Sequence, residues 1–214
     1  MKITLLAFPL LALLILLPIN ARASEVVTIN TFLPWKAQDD KTLQVSIIKE
    51  TSLSPDQIKS IKKAITGFGT IKFDDTIAYV SWQEALETAD YKTRLSMPTI
   101  DTIDDNNIEA DITITITDEK NADGYAGYTA HVIENNKITK SNIIIYDINN
   151  IPLKQISSIT RHEFGHALGL AHSDSPDDLM YDIVYLSSYV TECDVSTLLS
   201  LYDGNVQSVS ECGI

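Results

Sequence analysis

The stretch "RHEFGHALGLAH", Arg161 to His172, holds three of the four histidines in the chain. It closes the longer segment "PLKQISSITRHEFGHALGL", in which apolar residues recur at helical spacing. This pattern predicts one long helix that ends at Gly169, because glycine can leave a helix through a left-handed conformation. Two of the histidines therefore lie near the end of the helix and the third lies just beyond it.

His162 and His166 are four residues apart, so a helix places both side chains on one face with Cβ atoms about 6 Å apart. Two imidazoles in that arrangement can bind one zinc ion at Zn–N distances of about 2.0–2.1 Å. Glu163 points to the side, where it can meet a water bound to the ion and act as a general base. The spacing is the HExxH pattern of zinc hydrolases.

His172 is the predicted third ligand, since the chain can turn back after Gly169 and present it to the same ion. Three neutral imidazoles leave one coordination position open, as in catalytic rather than structural zinc sites. The predicted site therefore has His162, His166 and His172 as zinc ligands and Glu163 as the catalytic residue. A bare HExxH also occurs by chance on amphipathic helices, where the histidines are ordinary helix residues.

The motif continues in a way that resembles a known family. "HEFGHALGLAH" fills every fixed position of HExxHxxGxxH and is similar to the signature of the metzincin clan of metallopeptidases. Ser173 and Met180, the latter in "DLMYDIVY", resemble the matrixin (matrix metalloproteinase) family, whose Met-turn reads ALMYP.Y. Asp182 stands where that family usually has proline, which affects the specificity loop and not the ligands. The resemblance implies a zinc-dependent endopeptidase acting on protein or peptide substrates, with Met180 packed beneath the site.

The segment before the motif helix contains a predicted strand and a predicted helix. "TLQVSIIKE", residues 42–50, alternates apolar and polar residues as a half-buried strand does. A helix then starts after Ser54, with Pro55 at its first position and Gln57 completing a capping box. Ile58, Ile61 and Ile65 fall on one face, and Gly67 is placed to end the helix.

Further elements follow from similar patterns: a helix in "VSWQEALETA", strands in "ADITITITD", "YTAHVIE" and "SNIIIYDI", and a last helix around Val195–Tyr202. Strands with flanking helices indicate an α+β domain. The family resemblance implies a metzincin-type catalytic domain: a twisted, mostly parallel sheet with an antiparallel edge strand, two long helices and a C-terminal helix. In that picture "GYAGYTAHV" is similar to the substrate-binding edge strand and its preceding loop.

The first 23 residues differ from the rest of the chain. Met1–Ala23 has a positive residue, a long apolar run and the small-x-small sequence Ala21-Arg22-Ala23, which is typical of a secretory signal peptide. We predict that Ser24 is the first mature residue and that 24–214 form one metallopeptidase domain, secreted to the extracellular space. The alternative is an uncleaved anchor, which would make the protein a membrane-anchored processing protease facing outside.

The chain carries a formal net charge of −13 at pH 7. A surface this acidic argues against nucleic acid and against stable association with anionic membranes. The chain has two cysteines, Cys193 and Cys212, and in an oxidising compartment we expect them to form a disulfide worth roughly 3 kcal/mol.

Other candidate sites are weaker. "DEKNADG", Asp118–Gly124, offers oxygen ligands for calcium, but turns favour the same residues. His131, alone in a predicted strand, is more typical of a surface or hydrogen-bonded residue than of a ligand. Matrixins hold a structural zinc through additional histidines, and with only His131 before the motif helix we expect no second zinc. A catalytically inactive zinc-containing binding module is the rival function, against which an intact Glu163 argues.

Overall fold

The fold is described from a computed structural model, which covers residues 26–36, 42–73, 76–93, 99–103, 109–186, 188–203 and 209–213. Within these residues the helices are α1 (Pro55–Thr66), α2 (Trp82–Thr93), α3 (Leu153–Leu168) and α4 (Glu192–Tyr202). The strands are β1 (Val26–Thr31), β2 (Thr42–Lys49), β3 (Thr70–Phe73), β4 (Thr76–Tyr79), β5 (Thr99–Ile103), β6 (Ile112–Ile116), β7 (Gly127–Glu134), β8 (Lys137–Ile145), β9 (Leu170–Ser173), β10 (Val190–Thr191) and β11 (Val209–Gly213).

The largest sheet has the strand order β5-β2-β6-β8-β7. All neighbours run parallel except β7, which pairs antiparallel with β8 at the edge. The inner strands are rich in isoleucine, a β-branched residue that packs well on a pleated surface. The predicted α+β class and the mostly parallel sheet with an antiparallel edge strand are confirmed.

Helix α1 begins as its sequence predicts. The Ser54 hydroxyl accepts from the Gln57 backbone N–H at 3.2 Å, and the Gln57 side chain accepts from the Ser54 backbone N–H at 2.7 Å. Ile61 and Ile65 are fully buried, so the helix lays its apolar face on the core. Gly67 ends the helix in an extended conformation, with φ −72°.

Helix α3 positions the motif. Its predicted apolar residues are buried, and they are Ile156, Ile159, Phe164, Ala167 and Leu168. The helix packs against α1, β7 and β8. It ends at Gly169, whose φ of 110° lies in the left-handed region. Both the helix and its predicted end are confirmed.

Two small sheets were not predicted. One has the order β11-β1-β9, with all pairs antiparallel, and the other has the order β10-β4-β3. Helix α4 also starts earlier than predicted, at Glu192 rather than Val195. The reason is a capping box between Thr191 and Asp194, in which each side chain accepts a backbone N–H of the other residue.

No described helix is long and apolar enough to cross a membrane. The predicted signal peptide, Met1–Ala23, lies outside the described residues. Cys193 lies in the first turn of α4, and Cys212 lies in β11 opposite Val27 of β1. The Cys212 side chain is also outside the described part, so the Cys193–Cys212 disulfide stays a prediction.

Candidate metal centre

The three histidines of the motif converge. Their candidate ligand atoms all lie within 4.8 Å of one another, and the Nε2 atoms of His162 and His166 are 3.1 Å apart. Tetrahedral zinc with Zn–N bonds of about 2.0–2.1 Å needs nitrogens about 3.3 Å apart. The spacing of His162 and His166 therefore fits a zinc ion, and the structure brings His172 close to the two helical residues, as the sequence predicts.

Backbone carbonyls orient two of these rings. The Nδ1 atom of His162 lies 2.8 Å from the Leu179 carbonyl oxygen, and Nδ1 of His166 lies 2.9 Å from that of Leu170. Because a carbonyl only accepts, each Nδ1 must carry the proton and donate it. The Nε2 lone pairs of His162 and His166 are then left free to face the centre, as in zinc sites whose ligands have carbonyl partners.

Burial keeps the helical imidazoles neutral. It lowers the pKa of His162 to about 4 and that of His166 to about 3, with burial the largest cause in both cases. Neighbouring imidazoles lower both values further. Neutral imidazole is the form that binds metal, so both side chains are ready to ligate at neutral pH.

His172 arrives by a different route, on the short strand β9. Gly169 begins this route, and an added Cβ there would overlap the Leu33 carbonyl oxygen. Strand β1 holds β9 in place by antiparallel pairing. In addition, the Asn30 side-chain amide donates to the His172 carbonyl at 3.1 Å. The position of His172, the predicted third ligand, therefore depends on a glycine and on a strand more than a hundred residues away in sequence.

Met180 packs beneath the centre, as the family resemblance implies. It is fully buried, and its sulfur lies 2.5 Å from where a Cβ at Gly165 would stand. Its carbonyl accepts from the Ser173 N–H at 2.8 Å, and its own N–H donates to Asp178 at 2.8 Å. The turn that carries Met180 is thereby tied to the end of β9.

Glu163 faces the same pocket as the three imidazoles. The side chain is buried, with 6% of the residue exposed, and burial raises its pKa to about 7. The Thr129 hydroxyl donates to Glu163 Oε2 at 2.7 Å, which opposes that rise. A buried carboxyl that changes its protonation near neutral pH can both accept and return a proton.

Thr129 lies on β7 and was not identified as a site residue from the sequence. Threonine is common in strands, and only the position of β7 over α3 brings it to Glu163.

Arg161 was also missed. Its buried guanidinium donates to the carbonyls of Ser188 at 2.8 Å and Val80 at 3.1 Å. It thereby ties α3 to the segment that follows the Met180 turn.

Two walls enclose the pocket. One is β7 with its preceding loop, including Tyr125 and Tyr128, and the other is the segment 182–184 after Met180. Asp182, which replaces the expected proline, is part of this second wall. Tyr181 and Tyr185 stack at 6.4 Å between ring centroids. Tyr181 is half-buried and Tyr185 is half exposed, so neither is a core aromatic.

His131 lies outside the converging group of imidazoles. Its ring stacks on Phe32 with centroids 5.2 Å apart, and its Nδ1 is 2.9 Å from the Ser141 hydroxyl. It is thus a hydrogen-bonded strand residue.

In the loop 118–124, the Asn121 side chain accepts from the Asp123 N–H at 2.8 Å, which is typical of a turn. Calcium binding by this loop stays a prediction.

The comparisons with known proteins agree with the motif. A family model described as Matrixin matches residues 60–203, which is more than half of the chain. The match runs from within α1 to the residue after α4 and includes the three converging histidines, Glu163 and Met180. No curated protein matches the chain.

Proposed function

The chain belongs to the matrixin family of zinc-dependent endopeptidases, and on this premise we propose that it cleaves peptide bonds in protein substrates. In this proposal His162, His166 and His172 hold the catalytic zinc, and Glu163 is the general base. The observation that carries it is the convergence of three imidazoles in one pocket with a buried carboxylate.

His162, His166 and His172 would hold the zinc ion, which would supply Lewis-acid chemistry by acidifying a water and polarising the carbonyl of the scissile bond. The residues of the chain orient two of these ligands and keep them neutral. The carbonyls of Leu179 and Leu170 keep two rings in the tautomer that ligates. Burial keeps the same two rings neutral, so protons do not compete for the ligand nitrogens near neutral pH.

Glu163 moves the proton. As a carboxylate it accepts a proton from the attacking water, and as the acid it gives that proton to the nitrogen of the leaving amine. Its pKa of about 7, raised by burial, suits both transfers. A positive ion nearby would favour the carboxylate and so oppose the effect of burial.

The substrate binds as an extended strand. Strand β7 pairs with β8 on one side, and no described strand pairs with its other edge. We infer that a peptide adds to this edge by β-augmentation, with main-chain hydrogen bonds supplying affinity. The residue after the scissile bond then enters the pocket next to the segment 182–184, and its side chain meets Ile159 and Val184.

We also propose that the protein is secreted. Met1–Ala23 directs export and is removed, leaving 24–214 as the mature domain with the Cys193–Cys212 disulfide. Sequencing the N-terminus of exported protein is the test. A start at Ser24 is expected, whereas an intact Met1 on membrane-bound protein would favour the anchored alternative.

Cleavage of a peptide library by the mature protein tests the enzymatic proposal. Zinc-loaded protein is expected to cleave and metal-stripped protein is not. Glu163→Ala is expected to bind zinc and lose cleavage, while Glu87→Ala, an exposed substitution on α2, keeps full activity. Full activity of Glu163→Ala would overturn the role of Glu163. Stoichiometric zinc with no cleavage by the parent protein would favour an inactive binding module instead.

A further inference from the structure

The edge strand β7 contacts the catalytic carboxylate. The Thr129 hydroxyl oxygen lies 2.7 Å from Glu163 Oε2 and 3.1 Å from the Glu163 carbonyl oxygen. The two residues are 34 positions apart in sequence. The proposed substrate-binding edge and the motif helix are therefore joined at Glu163, the carboxylate of the HExxH motif.

A hydroxyl has one proton, so it donates to one of these two acceptors at a time. The carboxylate oxygen is closer, and hydrogen bonds to an ionised acceptor are roughly twice as strong as neutral ones. Glu163 is almost fully buried, and a low local dielectric strengthens the bond further. Thr129 therefore donates to the carboxylate whenever Glu163 is ionised.

Gly127 makes room for the same side chain. It is two residues before Thr129 on β7, so both positions face α3. A Cβ at Gly127 would overlap Oε1 of Glu163, and it would lie 2.6 Å from Cγ and 2.8 Å from Cδ. The strand thus provides a hydrogen-bond donor on one side of the carboxylate and a bare backbone on the other.

We propose that β7 positions the general base, with Thr129 holding one oxygen of Glu163 and Gly127 leaving space for the other. This inference rests on the proposed role of Glu163. A free glutamate side chain loses rotamer entropy when it is fixed, and a reacting group that is misplaced by about 1 Å can slow a reaction by about 100-fold. A carboxylate has about four acceptor sites, so the Thr129 bond leaves others for the attacking water.

Thr129→Val tests the proposal because valine keeps the branched shape and removes only the hydroxyl. We expect kcat to fall by about 10- to 100-fold, with KM and zinc content unchanged. Thr129→Ser restores the donor and is expected to recover most of kcat. The control is Thr139→Val on the same hairpin, which removes a hydroxyl bond to the Val132 carbonyl and is expected to leave kcat unchanged.

Either of two kinetic results would overturn the proposal: an unchanged kcat in Thr129→Val, or a Thr129→Ser variant as slow as Thr129→Val. Gly127→Ala gives a second line of support. Its methyl group displaces the carboxylate, so kcat is expected to fall while zinc remains bound. A Gly127→Ala enzyme with the parent's kcat would contradict the proposed space requirement.

A measurement without metal or substrate separates this inference from the proposed function. In the presence of a chelator, Thr129→Val is introduced both into the parent protein and into the Glu163→Ala variant. The loss of Tm that it causes in the Glu163→Ala variant is expected to be at most half of the loss that it causes in the parent. Strictly additive losses would show that the two side chains are not coupled and would overturn the inference. If the parent cleaves nothing but the coupling is present, only the proposed function fails.

Discussion

The candidate metal centre has two halves that are built in opposite ways. On α3, His162 and His166 are placed by a single helical turn, are largely buried, and donate to nearby carbonyls. On β9, His172 is exposed and lies on a four-residue strand. Its position comes from pairing with β1 and from the conformation of Gly169. One half is placed by local helix geometry, and the other depends on long-range contacts.

This difference suggests a division of labour. The helical half presents two neutral nitrogens whose rings are oriented by backbone carbonyls, and we expect it to bind an ion weakly by itself. In the proposed site the strand half completes a set of three ligands, which would leave one coordination position for chemistry.

Removing a ligand has the largest expected effect. His166→Ala is expected to abolish both activity and measurable zinc binding, because it leaves the remaining ligands on different elements. His172→Ala is expected to abolish activity but retain weak zinc binding by the helical pair. Both losses of zinc affinity should exceed the roughly 10- to 100-fold that is typical when only a hydrogen-bond partner of a metal ligand is removed. Zinc titration of metal-stripped protein measures them, and equal affinities for the two variants would refute the proposed asymmetry.

Gly169→Ala is expected to displace β9, and with it His172, although Gly169 is not itself a predicted ligand. Alanine at φ 110° is strained, and its Cβ overlaps the Leu33 carbonyl, so we expect a loss of about 3 kcal/mol in the free energy of unfolding. Gly124→Ala is the matched control. Its φ of 83° is also positive, but an added Cβ has no described atom within 4 Å, so the loss should be about 1–2 kcal/mol.

Denaturant unfolding of both glycine variants measures the difference, and zinc titration adds a second readout. Gly169→Ala should weaken zinc binding because β9 moves, whereas Gly124→Ala should not. If both variants lose the same stability and bind zinc like the parent, Gly169 has no special part in delivering His172.

The same division explains what could be predicted from the sequence. The helical half follows from a four-residue spacing, and the capping box at Ser54 and Gln57 is equally local. The main sheet follows from isoleucine-rich strands with the alternation typical of buried β structure. Gly169 and the spacing to Met180 even indicated the third ligand, because the family motif spans the turn.

What could not be predicted depends on distant pairings. Strands β1, β9 and β11 are short, and nothing in their sequences says that the two ends of the described chain meet beside His172. Thr129 looks like any strand threonine until β7 is placed over α3. The early start of α4 was missed because Thr191 and Asp194 were not recognised as a capping box.

A smaller effect, on the pH dependence of stability, is expected at the turn that carries Met180 and at the start of α4. Asp178 accepts from the Met180 N–H, and Asp194 accepts from the Thr191 N–H at 2.7 Å. Burial raises the pKa of both carboxyl groups, and the charge of Asp178 raises that of Asp194 further. The folded protein therefore holds a proton that the unfolded chain releases near the ordinary pKa of 3.8.

The retained proton makes the folded state more stable at low pH than at high pH. Stability from the retained proton is fully present below the ordinary pKa and is lost as the pH rises through the raised pKa of the folded state. Asp194→Asn cannot ionise and keeps an oxygen for Thr191, so it should avoid that loss. In the presence of a chelator, its Tm is expected to exceed that of the parent at neutral pH, and the gap should close towards pH 4. Asp203→Asn, at an exposed site after α4, is the control and should show no such trend. An Asp194→Asn variant that is less stable than the parent at neutral pH would mean that the ionised carboxylate, rather than the retained proton, holds the Met180 turn against α4.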